Sequence, residues 1–170
     1  MADDAAERFT VLFRRHHARV RAYVLRRADE ERADDVVAEA FTAAWRHIDR
    51  LPEDPLPWLY RAAHNCLNND RRSRRRRERL AGRLALHHED APDHAAGVVE
   101  EVRLREALWR LPDADREALM LVGWEDLDHP SAAFVAGCSA AAFKVRVHRA
   151  RKRLAALLTD ETSPAEEAAR

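Results

Sequence analysis

DHPSAAFVAGCSAAAFKVRVHRARKR, residues 128–153, carries two helical patterns separated by a tight turn. Asp128 is placed to cap a short helix, with Pro130 in its first turn, where a missing N–H costs nothing. Gly137, Cys138 and Ser139 supply the turn, and Ser139 caps a last helix reaching Leu158. On that helix Phe143, Val147, Ala150 and Leu154 recur at three- and four-residue spacing and point inward. Lys144, Arg146, His148, Arg149, Arg151, Lys152 and Arg153 cover the remaining surface. A short helix, a three-residue turn containing Gly and a basic helix make the helix-turn-helix plan. The bland alternative is a solvated surface helix. Between Lys144 and Arg153 there are six Lys or Arg and no acid, whereas a merely solvated face usually mixes signs. The early positions of such a helix enter the major groove, where Lys and Arg reach guanine acceptors or phosphates.

Working outward, Val98 to Leu111 forms one helix, stopped by Pro112. Asp113 is a candidate N-cap for the next, which carries Leu119, Met120, Val122 and Trp124. The N-terminal part shows a second set of amphipathic segments. Phe9, Leu12, Phe13, Val20, Tyr23 and Val24 share one face of a helix expected from Glu7 to Arg27. Val37, Ala40, Phe41, Ala44 and Ile48 form the stripe of a second helix starting near Ala33, flanked by Trp45. Pro52, Pro55 and Pro57 punctuate the following segment. A third helix opens at Pro57, with Leu59, Ala62, Ala63, Cys66 and Leu67 inward.

These patterns predict an all-α chain of two small helical domains joined by a flexible linker, the second containing the helix-turn-helix. The boundaries are 1–80, an acidic linker at 81–97, 98–160 and a disordered tail at 161–170. Formal net charge is zero, but the average hides two blocks. From Arg71 to Arg79 there are seven arginines against Glu78, and Glu89 to Glu101 holds five acids and no base. Two basic blocks with an acidic spacer suit two contacts on a polyanion.

An arginine run also occurs in disordered tails and RNA-binding strips. Here it ends a helix bearing Trp58, Tyr60 and Asn65. Aromatics stack on unpaired bases and an Asn amide bonds a base edge. Trp58 serves equally as a core residue, and Tyr60 fits either role. The cysteines Cys66 and Cys138 stand far apart and behave as small apolar residues of a reducing compartment. The acidic N-terminus is not a signal peptide, and no apolar run spans a bilayer, so a cytoplasmic protein without membrane contact is expected.

In this order and spacing the segments resemble the extracytoplasmic-function (ECF) group of bacterial RNA polymerase sigma factors, from about Phe9 to Leu158. Residues 33–41, ADDVVAEAF, look like the family's polymerase-binding helix, and 57–65, PWLYRAAHN, like its promoter-melting helix. Leu111-Pro112, Arg116-Glu117, Gly137-Cys138-Ser139 and the segment Arg146 to Arg151 match its −35 domain. The resemblance implies that Asp35, Ala38 and Glu39 occupy the polymerase contact, a glutamine being usual where Ala38 stands. It implies that Asn65 reads a flipped-out −10 base, with the loop Asp49 to Leu56 forming its pocket. Trp58, Tyr60, Arg71, Arg72, Arg74 and Arg75 then belong to the −10 contact. Ser139, Lys144, Arg146, His148 and Arg149 belong to the −35 contact. The implied partners are core RNA polymerase, promoter DNA and, in some members, an anti-sigma factor. Ser131, Ala132, Ala136 and Ala142 replace residues that are larger or polar in the family, thinning the core by about 25 cal/mol per Å² of lost burial.

Rival readings are a stand-alone helix-turn-helix regulator, which leaves Trp58 to Asn65 unexplained, and a degenerate sigma-like regulator. An enzyme lacks support. His87, His88, Asp90, Asp93 and His94 cluster in the expected linker, without HExxH or CxxC spacing. No P-loop, GxSxG or paired-carboxylate motif occurs. No catalytic residue, metal or cofactor is expected.

Overall fold

In a computed structural model the chain is described over residues 2–80 and 99–160. These residues form helices and connections, without a strand, in two compact units, Met1–Leu86 and His87–Arg170. The expected linker at 81–97, with its histidine cluster, and the tail at 161–170 lie outside the described residues.

In the first unit α1 (Ala2–Leu25), α2 (Glu30–Arg46) and α3 (Leu56–Leu80) pack against one another, with a single 3-10 turn at Ile48–Arg50. The first helix starts several residues earlier than the apolar stripe predicts. The second starts at Glu30 because the Asp29 side chain accepts the Arg32 N–H at 3.0 Å, with Glu30 and Glu31 in the positive first turn. Asp54 accepts the Leu56 N–H at 3.2 Å at the head of α3.

The core is built from Val20, Tyr23 and Val24, from Val36, Val37, Ala40, Phe41 and Ala44, and from Leu59, Tyr60, Ala63 and Leu67. Phe13 departs from the expected stripe and is partly exposed, as is Trp45; Phe13 packs on Phe41 and Phe9 on Trp45, at 4.8 and 5.3 Å between ring centroids. Two polar side chains in α1 are buried instead. His16 continues the Leu12–Val20 spacing, and burial, with Arg15 beside it, lowers its pKa. Arg27 lies over the Tyr23 ring at 3.7 Å and donates to the Tyr23 carbonyl at 2.8 Å.

The second unit comprises α4 (Val99–Trp109), α5 (Asp113–Gly123), α6 (His129–Ala136) and α7 (Ala140–Asp160). Pro112, not Asp113, is the N-cap of α5, and because its ring carries no acceptor the helix has no side-chain cap. Asp113 sits in the first turn and holds Arg116 at 2.7 Å. Trp124 ends α5 exposed, contrary to its place in the predicted stripe. The α6 caps agree with the sequence. Asp128 accepts the Ser131 N–H at 2.8 Å, and hydrogen bonding from the Ser131 side chain and then from this N–H holds its carboxyl below the usual range. Gly137 takes the left-handed conformation (φ 70°), and the Cys138 N–H reaches the Ala133 carbonyl at 3.1 Å, a Schellman closure. Phe143, Val147 and Ala150 of α7 are buried where it packs on α5 and α6, in a core that also buries Leu119, Met120, Leu121, Ala132, Ala133 and Val135.

Candidate nucleic-acid interface and acidic face

The turn at Gly137 to Ser139 sets the direction of α7. Ser139 is exposed, and its Oγ accepts the Ala142 N–H at 3.2 Å, so this hydroxyl caps the helix. Because Phe143, Val147 and Ala150 bury one stripe, the opposite surface of α7 faces solvent. Lys144, His148, Arg149 and Lys152 are exposed on it, and Arg146 is half-buried beside Cys138. Val145, half exposed amid these cations, was not singled out by the charge pattern. A groove of about 470 Å³ runs along the helix, lined by Ala142, Val145, Arg146, Arg149 and Arg153, with Asp115 at its edge. Arg153 pairs with the buried Asp115 of α5, which fixes that flank of α7. The arrangement offers cations and a slim Ala141–Ala142 shoulder to a polyanion at close approach.

On α3 the outward positions are Asn65, Arg72, Arg74, Arg75 and Arg76, with Arg71 half-buried. Asn65, Asn69, Arg72 and Arg76 follow four-, three- and four-residue steps and so share one exposed face. Asn69 belongs to this face although the sequence reading passed over it. Tyr60 does not belong there. It is 1% exposed and stacked on Tyr23 at 4.7 Å, so its ring faces are inside the bundle and offer no platform to a base. Its neighbour Trp58 is half-buried, with His47 at 5.8 Å between ring centroids. Arg8 ties α1 to the turn before α3, donating to Asp49 at 3.0 Å and to the Ile48 carbonyl at 2.8 Å.

The outer surface of α2 carries Asp35, Ala38 and Glu39, all exposed. Asp35 and Glu39, four apart, lie on one face. Arg32 meets both, at 3.0 and 3.5 Å, and Asp70 of α3 at 2.5 Å. Cys66 lies behind them; burial first, then a hydrogen bond toward Glu39, pushes its thiol up to about 11, so it stays protonated. Among the described residues no group of His, Cys, Asp and Glu is arranged to hold a metal ion.

Two family models fall on these two units: Sigma-70 region 2 matches residues 12–77, and Sigma-70, region 4 matches residues 101–154. The ECF RNA polymerase sigma factor EcfG of Rhodopseudomonas palustris is 40% identical over 131 residues, covering 75% of this chain and 72% of that protein. The chain belongs to the ECF sigma factors.

A second relative of this sigma factor, NccH of Alcaligenes xylosoxydans xylosoxydans, is 36% identical over 138 residues, covering 76% of this chain and 74% of that protein. Among solved structures, the sigma factor RpoE of Bartonella quintana in complex with the anti-sigma factor NepR is similar, with a TM-score of 0.75 at 26% identity over 89% of this chain and 96% of that one. Helices α1 to α3 carry the region 2 match, and α4 to α7 the region 4 match with its helix-turn-helix. The chain is a promoter-directing initiation factor whose partners are core RNA polymerase and promoter DNA. Sigma factors are not enzymes. No described helix is long and apolar enough to cross a membrane.

Proposed function

We propose that the division of labour within this sigma factor follows its exposed faces. Asp35, Ala38 and Glu39 on α2 bind core polymerase. Asn65, with Trp58 at its edge and Arg71, Arg72, Arg74 and Arg75 along α3, takes the −10 element. Ser139, Lys144, Arg146, His148 and Arg149 at the head of α7 take the −35 element. The domains run over 1–80 and 98–160, and the protein works in the cytoplasm without an active site of its own. The observation that carries this reading is that the acidic pair on α2 and the basic outer faces of α3 and α7 are each solvent-facing. An anti-sigma factor as regulator is supported by the NepR-bound and CnrY-bound sigma factors to which the fold is similar.

Melting follows from the same surfaces. Phosphate contacts from the α3 arginines hold the duplex, and capture of an unstacked base by Asn65 offsets an unstacking cost of a few kcal/mol. The test is run-off transcription with core enzyme on a promoter library. Sequence-selective transcripts are expected only with both components. Asn65→Ala is expected to slow open-complex formation and flatten preference at one −10 position, leaving −35 preference intact. An unchanged base-by-base scan excludes Asn65. Tight, sequence-specific duplex binding by the isolated chain, unaffected by core enzyme, points instead to a stand-alone regulator.

The two basic faces are distinguishable by salt. Arg149→Ala is expected to cost about 1–3 kcal/mol and to relax specificity at one −35 base pair, because a base-edge contact is lost. Arg74→Ala is expected to weaken all promoters alike and to lower the salt slope by about one unit, as loss of a phosphate contact does. Binding to promoter variants between low and moderate salt reads both.

A further inference from the structure

Arg32 stands where α2 and α3 meet, and its guanidinium is shared among three carboxylates. Nε and Nη2 approach Asp70 of α3 at 2.6 and 2.5 Å, Nη1 donates to Asp35 at 3.0 Å, and Nη2 lies 3.5 Å from Glu39. The Asp70 side of this arrangement is the sheltered one, both side chains being 31% exposed, whereas Asp35 and Glu39 remain 69% and 54% exposed. The Arg32 backbone is fixed independently, by its N–H on Asp29.

The geometry has a direct electrostatic consequence. One cation among three carboxylates leaves the cluster net negative, and each carboxylate offers about four lone-pair sites. Arg32 occupies inward sites and leaves outward ones on Asp35 and Glu39. The Cys66 thiol, kept protonated by burial, backs Glu39 from the α3 side. Two flexible acidic side chains are therefore held in a preset orientation, ready for a cationic side chain of a partner. Less rotamer freedom is lost on binding when the side chains are already ordered.

Building on the reading of the α2 outer face as the polymerase-binding surface, we infer that Arg32 is a positioning residue for that surface: anchored by Asp70, it presets Asp35 and Glu39 for basic groups of the polymerase and ties this face to the DNA-facing helix α3. The planar fork is needed, since one ammonium cannot serve three carboxylates in fixed directions. Arg32 does not itself need to touch the polymerase.

The test is equilibrium binding of the full chain to core RNA polymerase, with the melting temperature followed alongside. Arg32→Ala is expected to weaken binding roughly two- to tenfold, the cost of ordering one or two side chains at the moment of binding. The Arg32–Asp70 pair is partly sheltered, so a modest drop in melting temperature is expected, with the chain still folded at the temperature of the binding measurement. Arg32→Lys is expected to restore only part of the loss. Asp70→Asn, on α3 and away from the binding face, is expected to weaken binding in the same direction and non-additively with Arg32→Ala. In a background where Asp35 and Glu39 are both alanine, Arg32→Ala is expected to have no further effect. Wild-type affinity for both Arg32→Ala and Asp70→Asn overturns the inference, as does a loss of equal factor in the alanine background. If Arg32→Ala fails to fold, Asp70→Asn carries the comparison alone. The underlying surface reading fails separately: the Asp35 and Glu39 double alanine chain would then bind core enzyme like wild type.

Discussion

Reversing Asp35 and Glu39 together to lysine is expected to abolish binding to core RNA polymerase while the circular dichroism spectrum and melting of the chain stay as they are. Both side chains point to solvent from α2, so neither packs in the core and neither substitution removes buried apolar area. Arg32 keeps its sheltered partner Asp70 in the variant, so no buried charge is left alone. On the partner side, truncating one member of an interfacial charge pair typically costs about 2–5 kcal/mol, and placing two cations opposite cations adds repulsion. A loss of at least about a hundredfold follows. Pull-down or fluorescence titration with core enzyme measures it. Retained affinity with retained fold removes this face from the polymerase contact.

The second large effect belongs to stability. Phe143→Ala is expected to unfold the helix-turn-helix unit under conditions where the first unit stays folded. Phe143 is fully buried, with the His129 ring at 6.1 Å between centroids. Deleting a buried phenyl costs about 3–5 kcal/mol through lost transfer energy and the cavity left behind. At about 0.05–0.15 kcal/mol per residue a unit of this size has only several kcal/mol of net stability, so the loss is comparable with it. Calorimetry should resolve an early transition for residues of α5 to α7 while the α1–α3 transition is unmoved. Transcription that depends on the −35 element should disappear, and affinity for core enzyme should persist. A single cooperative transition shifted as a whole would show that the two units do not melt independently.

Much of this was legible in the chain itself. Asp128, Pro130, Gly137 and Ser139 are local devices: each satisfies or terminates backbone within a few residues of itself, so residue type and spacing suffice. The stripes Leu59–Ala63–Leu67 and Phe143–Val147–Ala150 are equally local, because a 3.6-residue period is written in one helix alone. The two carboxylates Asp35 and Glu39 were readable as one face for the same reason.

Other features depended on contacts between helices distant in sequence. Tyr60 borders the Leu59 stripe and looked equally suited to solvent or core. Packing of α1 on α3, which brings Tyr23 onto its ring, decided for the core. His16 and Arg27 are polar by residue type yet keep the three- and four-residue spacing of the α1 stripe, and packing on the covered face buries both. Asp113 had the residue type of a cap, yet the extended Pro112 before it took that position.

The sequence by itself therefore determined the all-helical character, the two-unit plan, the helix-turn-helix and the family, because propensity, capping, periodicity and motif order are short-range properties. Only the tertiary structure decided which polar groups face inward, how Asp35 and Glu39 are joined through Arg32 to Asp70, and that Arg153 locks α7 to Asp115. Those pairings each link residues 38 positions apart, and no local rule specifies a contact that exists only after the helices have packed.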